Sequence, residues 1–424
     1  MLILVESIKC RLHLIGHLST YMDIMNYGVK NIVKNIILLT STLGDGGAQK
    51  VVSVLSRLFN NNDYNVYVLV FDGQDIEYNY EGTLIDLEIP ARNNPVIKFI
   101  NVIKRIRKVK KFKKRYNVDT SVSFLQGPNL VNLLSKKNDK VILSIRNFLN
   151  QSHSIYGSVN KFLIRHIYKK ADHIVSVSKE IEKDLENNFA IPGDKLLTIY
   201  NPYDVEHIVS KTKDPLNATE KKYFSEHTLI TMGRLHKQKG HWHLIKAFSK
   251  VIEAIPDAKL LILGRGELED YLSNLINNFN LNDSVHLLGF QSNPHKYLSS
   301  AQLYVFPSLY EGFPNALNEA MACKLPVISA DCPSGPKEIL APSKSLEDKT
   351  TDIDYAEYGV LVPELDGKFH EYSSPLTKEE DMLANAIITM LKDAAMREKY
   401  SELAFKRVND FNFEVIMKQW EAII

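Results

Sequence analysis

The sequence predicts an α/β protein of two domains, each a parallel β-sheet with helices on both faces. Three observations carry this expectation. The chain has 424 residues, more than one core usually organises at about 100–200 residues per domain. Short β-branched or aliphatic runs alternate with helical stretches along most of it, the pattern of strands buried on both faces. One polar, charged segment then interrupts the alternation at 203–226, with no persistent apolar period.

The first strand, 36–40 (IILLT), leads into the glycine-rich turn Gly44-Asp45-Gly46-Gly47 and a helical pattern through Val51, Val52, Leu55 and Leu58. Strands at 64–70, 119–124, 141–145, 173–178 and 196–200 complete an N-terminal domain of 35–205. A linker is expected at 206–226. The second series, 227–409, has strands at 228–232, 259–263, 285–288, 303–306 and 326–329. Two Rossmann-like halves of this kind enclose a cleft between them.

Composition narrows the class. Hydrophobic residues make up 45% and charged residues 24%, as in ordinary globular proteins, which excludes a disordered or fibrous chain. A net charge of +2 supplies no overall field that would draw the protein to nucleic acid. Cys10, Cys323 and Cys332 form an odd set without metal-ligand spacing, so free thiols in the reducing cytoplasm are expected, and no metal site. Glu6, Lys9 and Arg11 interrupt the opening segment before the roughly 18 uncharged residues a spanning helix needs. It also lacks the basic start and cleavage site of a signal peptide. Residues 1–34 are therefore expected to be an extension ahead of the first domain.

Two loops carry chemistry. Gly233-Arg234-Leu235 directly follows a strand, and Lys239-Gly240 closes the loop before a helix. Arg234 and Lys239 there can clamp one diphosphate, aided by the helix dipole; a solvated basic loop has the same spacing. The second run is Tyr310-Glu311-Gly312-Phe313-Pro314-Asn315-Ala316-Leu317-Asn318-Glu319-Ala320. Glu311 precedes the turn and Glu319 lies two turns into the helix that follows. Backbone N–H groups within 313–316, all but that of Pro314, point into the space between them and can donate to phosphate or hydroxyl oxygens.

The order Gly-Arg-Leu-x-x-x-Lys-Gly (233–240), Gly-x-Gly-Glu-Leu (264–268), Val-x-x-Leu-Gly (285–289) and Ser-x-x-Glu-Gly-Phe-Pro-x-x-x-x-Glu-Ala (308–320) resembles family 4 of the retaining glycosyltransferases. The resemblance runs from about residue 35 to the end, where Phe411-Asn412-Phe413 through Gln419-Trp420 is similar to a helix that crosses back to the N-terminal domain. It implies the GT-B fold and a sugar-nucleotide donor, with no cofactor or metal. Arg234 and Lys239 would bind the donor diphosphate, with Glu319 on the ribose. Glu311 and the 313–316 amides, after Gly312, would hold the transferred sugar. Gly233, Gly266 and Leu288 would lie around the phosphates and base, and Gly46 and Gly47 would let the N-terminal loop approach the phosphates. The stretch 121–129 lacks the histidine that many members carry near the sugar.

The loop Asp331-Cys332-Pro333-Ser334-Gly335-Pro336-Lys337-Glu338 is similar to members that extend lipid-linked oligosaccharides for glycan, capsule or O-antigen assembly. That implies a UDP-hexose or UDP-N-acetylhexosamine donor, ahead of a GDP-sugar, and a lipid-linked glycan acceptor. A sugar-nucleotide epimerase and a non-catalytic sugar-nucleotide binder are the alternatives. A dehydrogenase is disfavoured, since Gly264-Arg265-Gly266-Glu267-Leu268-Glu269 lacks the third glycine of a dinucleotide fingerprint.

Between residues 104 and 115 nine of twelve positions are Lys or Arg, with Ile103, Ile106, Val109 and Phe112 about three apart. This predicts a helix at 100–115 lying on an anionic membrane surface at the inner face of the cell membrane. A helix covering its own sheet has the same pattern. Nucleic-acid binding is disfavoured, because no aromatic platform accompanies the charge.

Overall fold

The computed structural model describes residues 33–424 except 45, 62–63, 93, 149–160 and 162–163. Of the expected extension, 1–32 with Cys10 lie outside the described residues, as does Asp45.

Among the described residues two seven-stranded sheets form. The first has strands β1 (Asn35–Thr40), β2 (Asn65–Val70), β3 (Thr83–Asp86), β4 (Thr120–Phe124), β5 (Lys140–Ile145), β6 (His173–Ser176) and β7 (Leu196–Thr198). Their spatial order is β3-β2-β1-β4-β5-β6-β7, parallel throughout. Along β1, Ile36 and Leu38 enter one core, while Ile37 and Leu39 enter another on the opposite face. A continuous apolar strand is what a sheet covered on both sides requires.

The second sheet comprises β8 (Thr228–Met232), β9 (Lys259–Leu263), β10 (Val285–Gly289), β11 (Leu303–Phe306), β12 (Val327–Ala330), β13 (Asp354–Tyr355) and β14 (Val360–Val362), in the order β10-β9-β8-β11-β12-β14-β13. Its edge strand β13 is antiparallel to β14. Both domains are thus Rossmann-like, with one antiparallel edge in the second.

Two expectations change. The segment read as a linker folds into the helices Val205–Lys211 and Ala218–Lys221, capped by Asp204 and Asn217. Glu220 accepts from Lys296 at 2.9 Å and from Tyr297 at 2.7 Å, tying the segment to the second domain. The basic stretch is indeed helical, as Pro95–Arg115, but its apolar stripe faces its own sheet. Val109 is fully buried, and Ile106 and Phe112 pack on the same core, with Phe112 edge-on to Tyr67. Arg105 and Lys113 are buried too, the latter 2.8 Å from Asp139. What stays exposed is the start of the helix, with Val96 at 67% and Phe99 at 66%, and the remaining cations.

The helix Phe413–Glu421 crosses back to the first domain, where Ile416, Met417 and Trp420 join a core with Phe59 and Ile199. Tyr203 anchors the crossing by donating to Phe411 O at 3.0 Å and accepting from Phe413 N at 3.3 Å. Trp420→Ala removes a fully buried indole and is expected to destabilise the first domain by about 3 to 5 kcal/mol, seen as an earlier transition in urea unfolding.

Candidate active site

Each sheet reverses strand order once, between β1 and β4 in the first and between β8 and β11 in the second. Loops leaving the carboxyl ends of strands at such a reversal diverge to opposite faces and open a crevice. The loop after β8 carries Gly233, Arg234 and Lys239, and the segment after β11 carries Glu311 and the helix Asn315–Ala322 with Glu319. The two predicted loops therefore meet at one crevice.

Lys239 Nζ lies 2.6 Å from Glu311 Oε1, with the side chains 20% and 9% exposed. Two bonds stitch the loops together: Leu309 N donates to Gln238 O at 2.8 Å, and Gln238 Nε2 donates to Tyr310 O at 2.7 Å. Gly240 sits at φ +62°, where a Cβ would meet Pro307 O at 2.2 Å, so the turn that aims Lys239 needs glycine. Arg234 is exposed. Gly266 lies against the same loop, since Leu235 N donates to Arg265 O and Leu268 N to Leu235 O. Gly264 N donates to Gly289 O at 2.8 Å, which brings Leu288 alongside.

The helix Asn315–Ala322 has no side-chain cap and no acidic residue in its first turn. Its leading amides, those of Asn315 and Ala316, therefore lack an intrahelical acceptor and offer an anion two donors. The side chains of Phe313 and Asn315 turn elsewhere. Phe313 stacks on Tyr200 at 4.8 Å, and Asn315 Oδ1 accepts from Asn201 and from Tyr203, both at 2.8 Å. Pro314 is buried beside Gly335. Of this predicted run, only backbone is left to face the crevice at Phe313 and Pro314.

From the first domain, Gly46 and Gly47 open the helix Gly47–Asn61, and a Cβ on Gly47 would lie 3.3 Å from Asn315 Nδ2. One turn on, Lys50 reaches across to Glu319, Nζ to Oε1 at 2.5 Å. His295 Nε2 lies 3.4 Å from the other oxygen. Burial alone would raise the Glu319 pKa, but Lys50 and His295 outweigh it and hold the carboxyl at about 2. Burial likewise disfavours the Lys50 ammonium, and Glu319 reverses that into a raised pKa.

The domains join beside this crevice. Gly312 packs so closely on the first domain that a Cβ would meet Arg146 O at 2.0 Å. Ser178 and Ser334 hydroxyls lie 3.0 Å apart. Glu338 accepts from Lys179 N at 2.9 Å, Glu180 N at 3.0 Å and Tyr200 OH at 3.1 Å. Sequence reasoning missed Lys50, His295, Asn201 and Tyr203. Lys50 had a signal, one helical turn after a glycine pair already singled out; the others had none.

A family model described as Glycosyltransferase Family 4 matches residues 45–207, and one described as Glycosyl transferases group 1 matches 213–358. An uncharacterised glycosyltransferase of Methanocaldococcus jannaschii is 36% identical over 346 residues, spanning 78% of this chain and 85% of that one. The chain is a family 4 glycosyltransferase. It is also similar, at 31% identity over 383 residues, to the Campylobacter jejuni N-acetylgalactosamine-N,N'-diacetylbacillosaminyl-diphospho-undecaprenol 4-alpha-N-acetylgalactosaminyltransferase, spanning 88% of this chain and 94% of that enzyme. An Anabaena protein solved with UDP and glucose superposes with a TM-score of 0.68 at 16% identity, covering 92% of this chain and 98% of the other. The glycosyltransferase therefore has the GT-B fold expected from its sequence motifs.

At the junction of this glycosyltransferase, burial and then the nearby Glu338 and Asp331 carboxylates push Glu180 up to about 7 from its ordinary 4.5. Between those two values the folded protein holds a proton that the unfolded chain releases, so stability falls as pH rises through this window. Glu180→Gln should flatten that part of the Tm-against-pH profile and raise Tm at pH 8, checked by differential scanning fluorimetry.

Proposed function

We propose that this glycosyltransferase moves a hexose or N-acetylhexosamine, of GalNAc, Gal or Glc type, from a UDP-sugar to a lipid-linked glycan, with retention at the anomeric carbon. The observation that carries the donor site is the meeting of Arg234, the Lys239–Glu311 pair, Glu319 and an uncapped helix N-terminus at one sheet reversal. Cations and free amides select a diphosphate, and a buried carboxylate suits ribose hydroxyls. The Anabaena protein's UDP and glucose and the Campylobacter enzyme's diphospho-undecaprenol substrate support these choices of donor and acceptor. A GDP-sugar stands second, ahead of the epimerase and non-catalytic binder.

In this mechanism Arg234, Lys239 and the amides of Asn315 and Ala316 stabilise charge that grows on the departing diphosphate, without a metal. Glu311, held by Lys239, orients the sugar. The acceptor oxygen bonds to the anomeric carbon on the face the diphosphate leaves, the sugar–phosphate bond breaks, and the hydroxyl proton passes to a phosphate oxygen. No carboxylate nucleophile is needed; closeness of the acceptor supplies much of the acceleration.

Incubation with UDP- and GDP-sugars and lipid-linked acceptors, read by acceptor mass, should show hexose or N-acetylhexosamine added from a UDP-sugar. Lys239→Ala and Glu319→Ala should each lose over tenfold in turnover while melting cooperatively. Wild-type turnover in both variants would remove the site.

Among the described residues no helix is long and apolar enough to cross a membrane. The protein is proposed to dock peripherally at the inner face of the cell membrane, through exposed Val96, Ile97, Phe99 and Ile100 and the exposed cations that follow them. Apolar side chains insert at the headgroup boundary, and each basic residue near an anionic surface adds about 1 kcal/mol. Wild-type protein should sediment with vesicles containing anionic lipid and not with neutral ones. Joint replacement of Val96, Phe99 and Ile100 by serine should reduce the bound fraction several-fold.

A further inference from the structure

Lys50 stands outside every motif quoted for the donor site, yet it makes an ion pair across the cleft. It belongs to the first turn of the helix Gly47–Asn61, and Glu319 to the second turn of the helix Asn315–Ala322. Neither helix has an acidic residue in its first turn, and Gly47 faces Asn315 directly. Two positive helix ends therefore converge on one space. Arg234 and Lys239 lie on the loop across the same crevice, so what fits between is an anion.

The carboxylates already there each hold a lysine, Glu311 with Lys239 at 2.6 Å and Glu319 with Lys50 at 2.5 Å, and the second oxygen of Glu319 lies 3.4 Å from His295 Nε2. Glu319 is 4% exposed and cannot stand without a cation beside it. The Lys50 side chain is 38% exposed, so part of it borders open space beside the carboxylate. An ammonium has three donors, and among the described residues Lys50 spends one, on Glu319. Two remain for a ligand.

We propose that Lys50 is a donor-binding cation supplied by the N-terminal domain, held on Glu319 while the site is empty and bridging Glu319 to the donor diphosphate when it is filled. The proposal rests on the donor-site assignment above. It deepens that assignment by making the diphosphate a ligand of both domains at once. The two lysines, each parked on a carboxylate, match the two negative charges of a sugar-nucleotide diphosphate.

Calorimetric titration of UDP and of uridine into wild type, Lys50→Met, Lys50→Arg, Glu319→Gln and the Lys50→Met/Glu319→Gln double variant tests this. Lys50→Met should weaken UDP at least tenfold and uridine less than twofold, with Lys50→Arg recovering most of the loss. Because Lys50→Met strands a buried carboxylate, the double variant carries the decision if the single one unfolds: against Glu319→Gln, it should still lose at least fivefold for UDP. Equal losses for uridine and UDP, or no further loss in the double variant, would mean that Lys50 acts only through Glu319 and would overturn the proposal alone. Wild-type protein that binds neither UDP nor GDP would overturn the donor-site assignment, and the proposal with it.

Discussion

Everything in the cleft depends on how closely Gly312 lies against the carbonyl of Arg146, an approach that leaves no room for a side chain. That contact fixes where the segment after β11 leaves the second sheet relative to the end of β5 in the first. Arg146 is itself held, donating to Ser144 and Asn201 and lying over the Phe124 ring. Asn201 in turn donates to Phe313 O and to Asn315 Oδ1. Below the junction a single apolar cluster passes from Val141 and Ile174 to Tyr304, Leu317 and Phe411. Domain interfaces that are polar and small permit motion by default; here the polar contacts ride on a shared core.

The donor crevice is pre-charged. Its two carboxylates are buried and each has its own lysine, so neither carries an uncompensated charge in a poorly solvated place. Such groups are in place before a ligand arrives, so the field that receives it is already built. The same economy governs the backbone: Phe313 and Asn315 give their side chains to the domain junction, and the amides of Asn315 and Ala316 stay open for a ligand.

Much of this was legible in the sequence, and the reasons are physical. Strands such as β1 and β9 are continuous apolar runs, which only a doubly covered sheet explains. β3 and β13 escaped because they lie at sheet edges, where half-exposed residues blur any pattern. The helices at 205–211 and 218–221 escaped because they are too short to show an apolar period, although Asp204 and the capping box of Asn217 and Glu220 signal their starts. In the basic helix the spacing of Ile106, Val109 and Phe112 was right and the face was wrong, since period reveals a stripe and not what covers it. Site residues within contiguous motifs were readable. Lys50 and Glu319, 269 positions apart, could be joined only by the fold.

The returning helix has a consequence for how the molecule is made. Trp420, Ile416 and Met417 complete a core whose other members begin at Ile36. A ribosome delivers the chain in order, and domains usually fold as soon as they emerge. Here the second domain can close on itself while the first still waits for the residues that seal Phe59 and Ile199. The half that emerges first is therefore the last to be finished, and until then it presents an open apolar surface for a chaperone to guard.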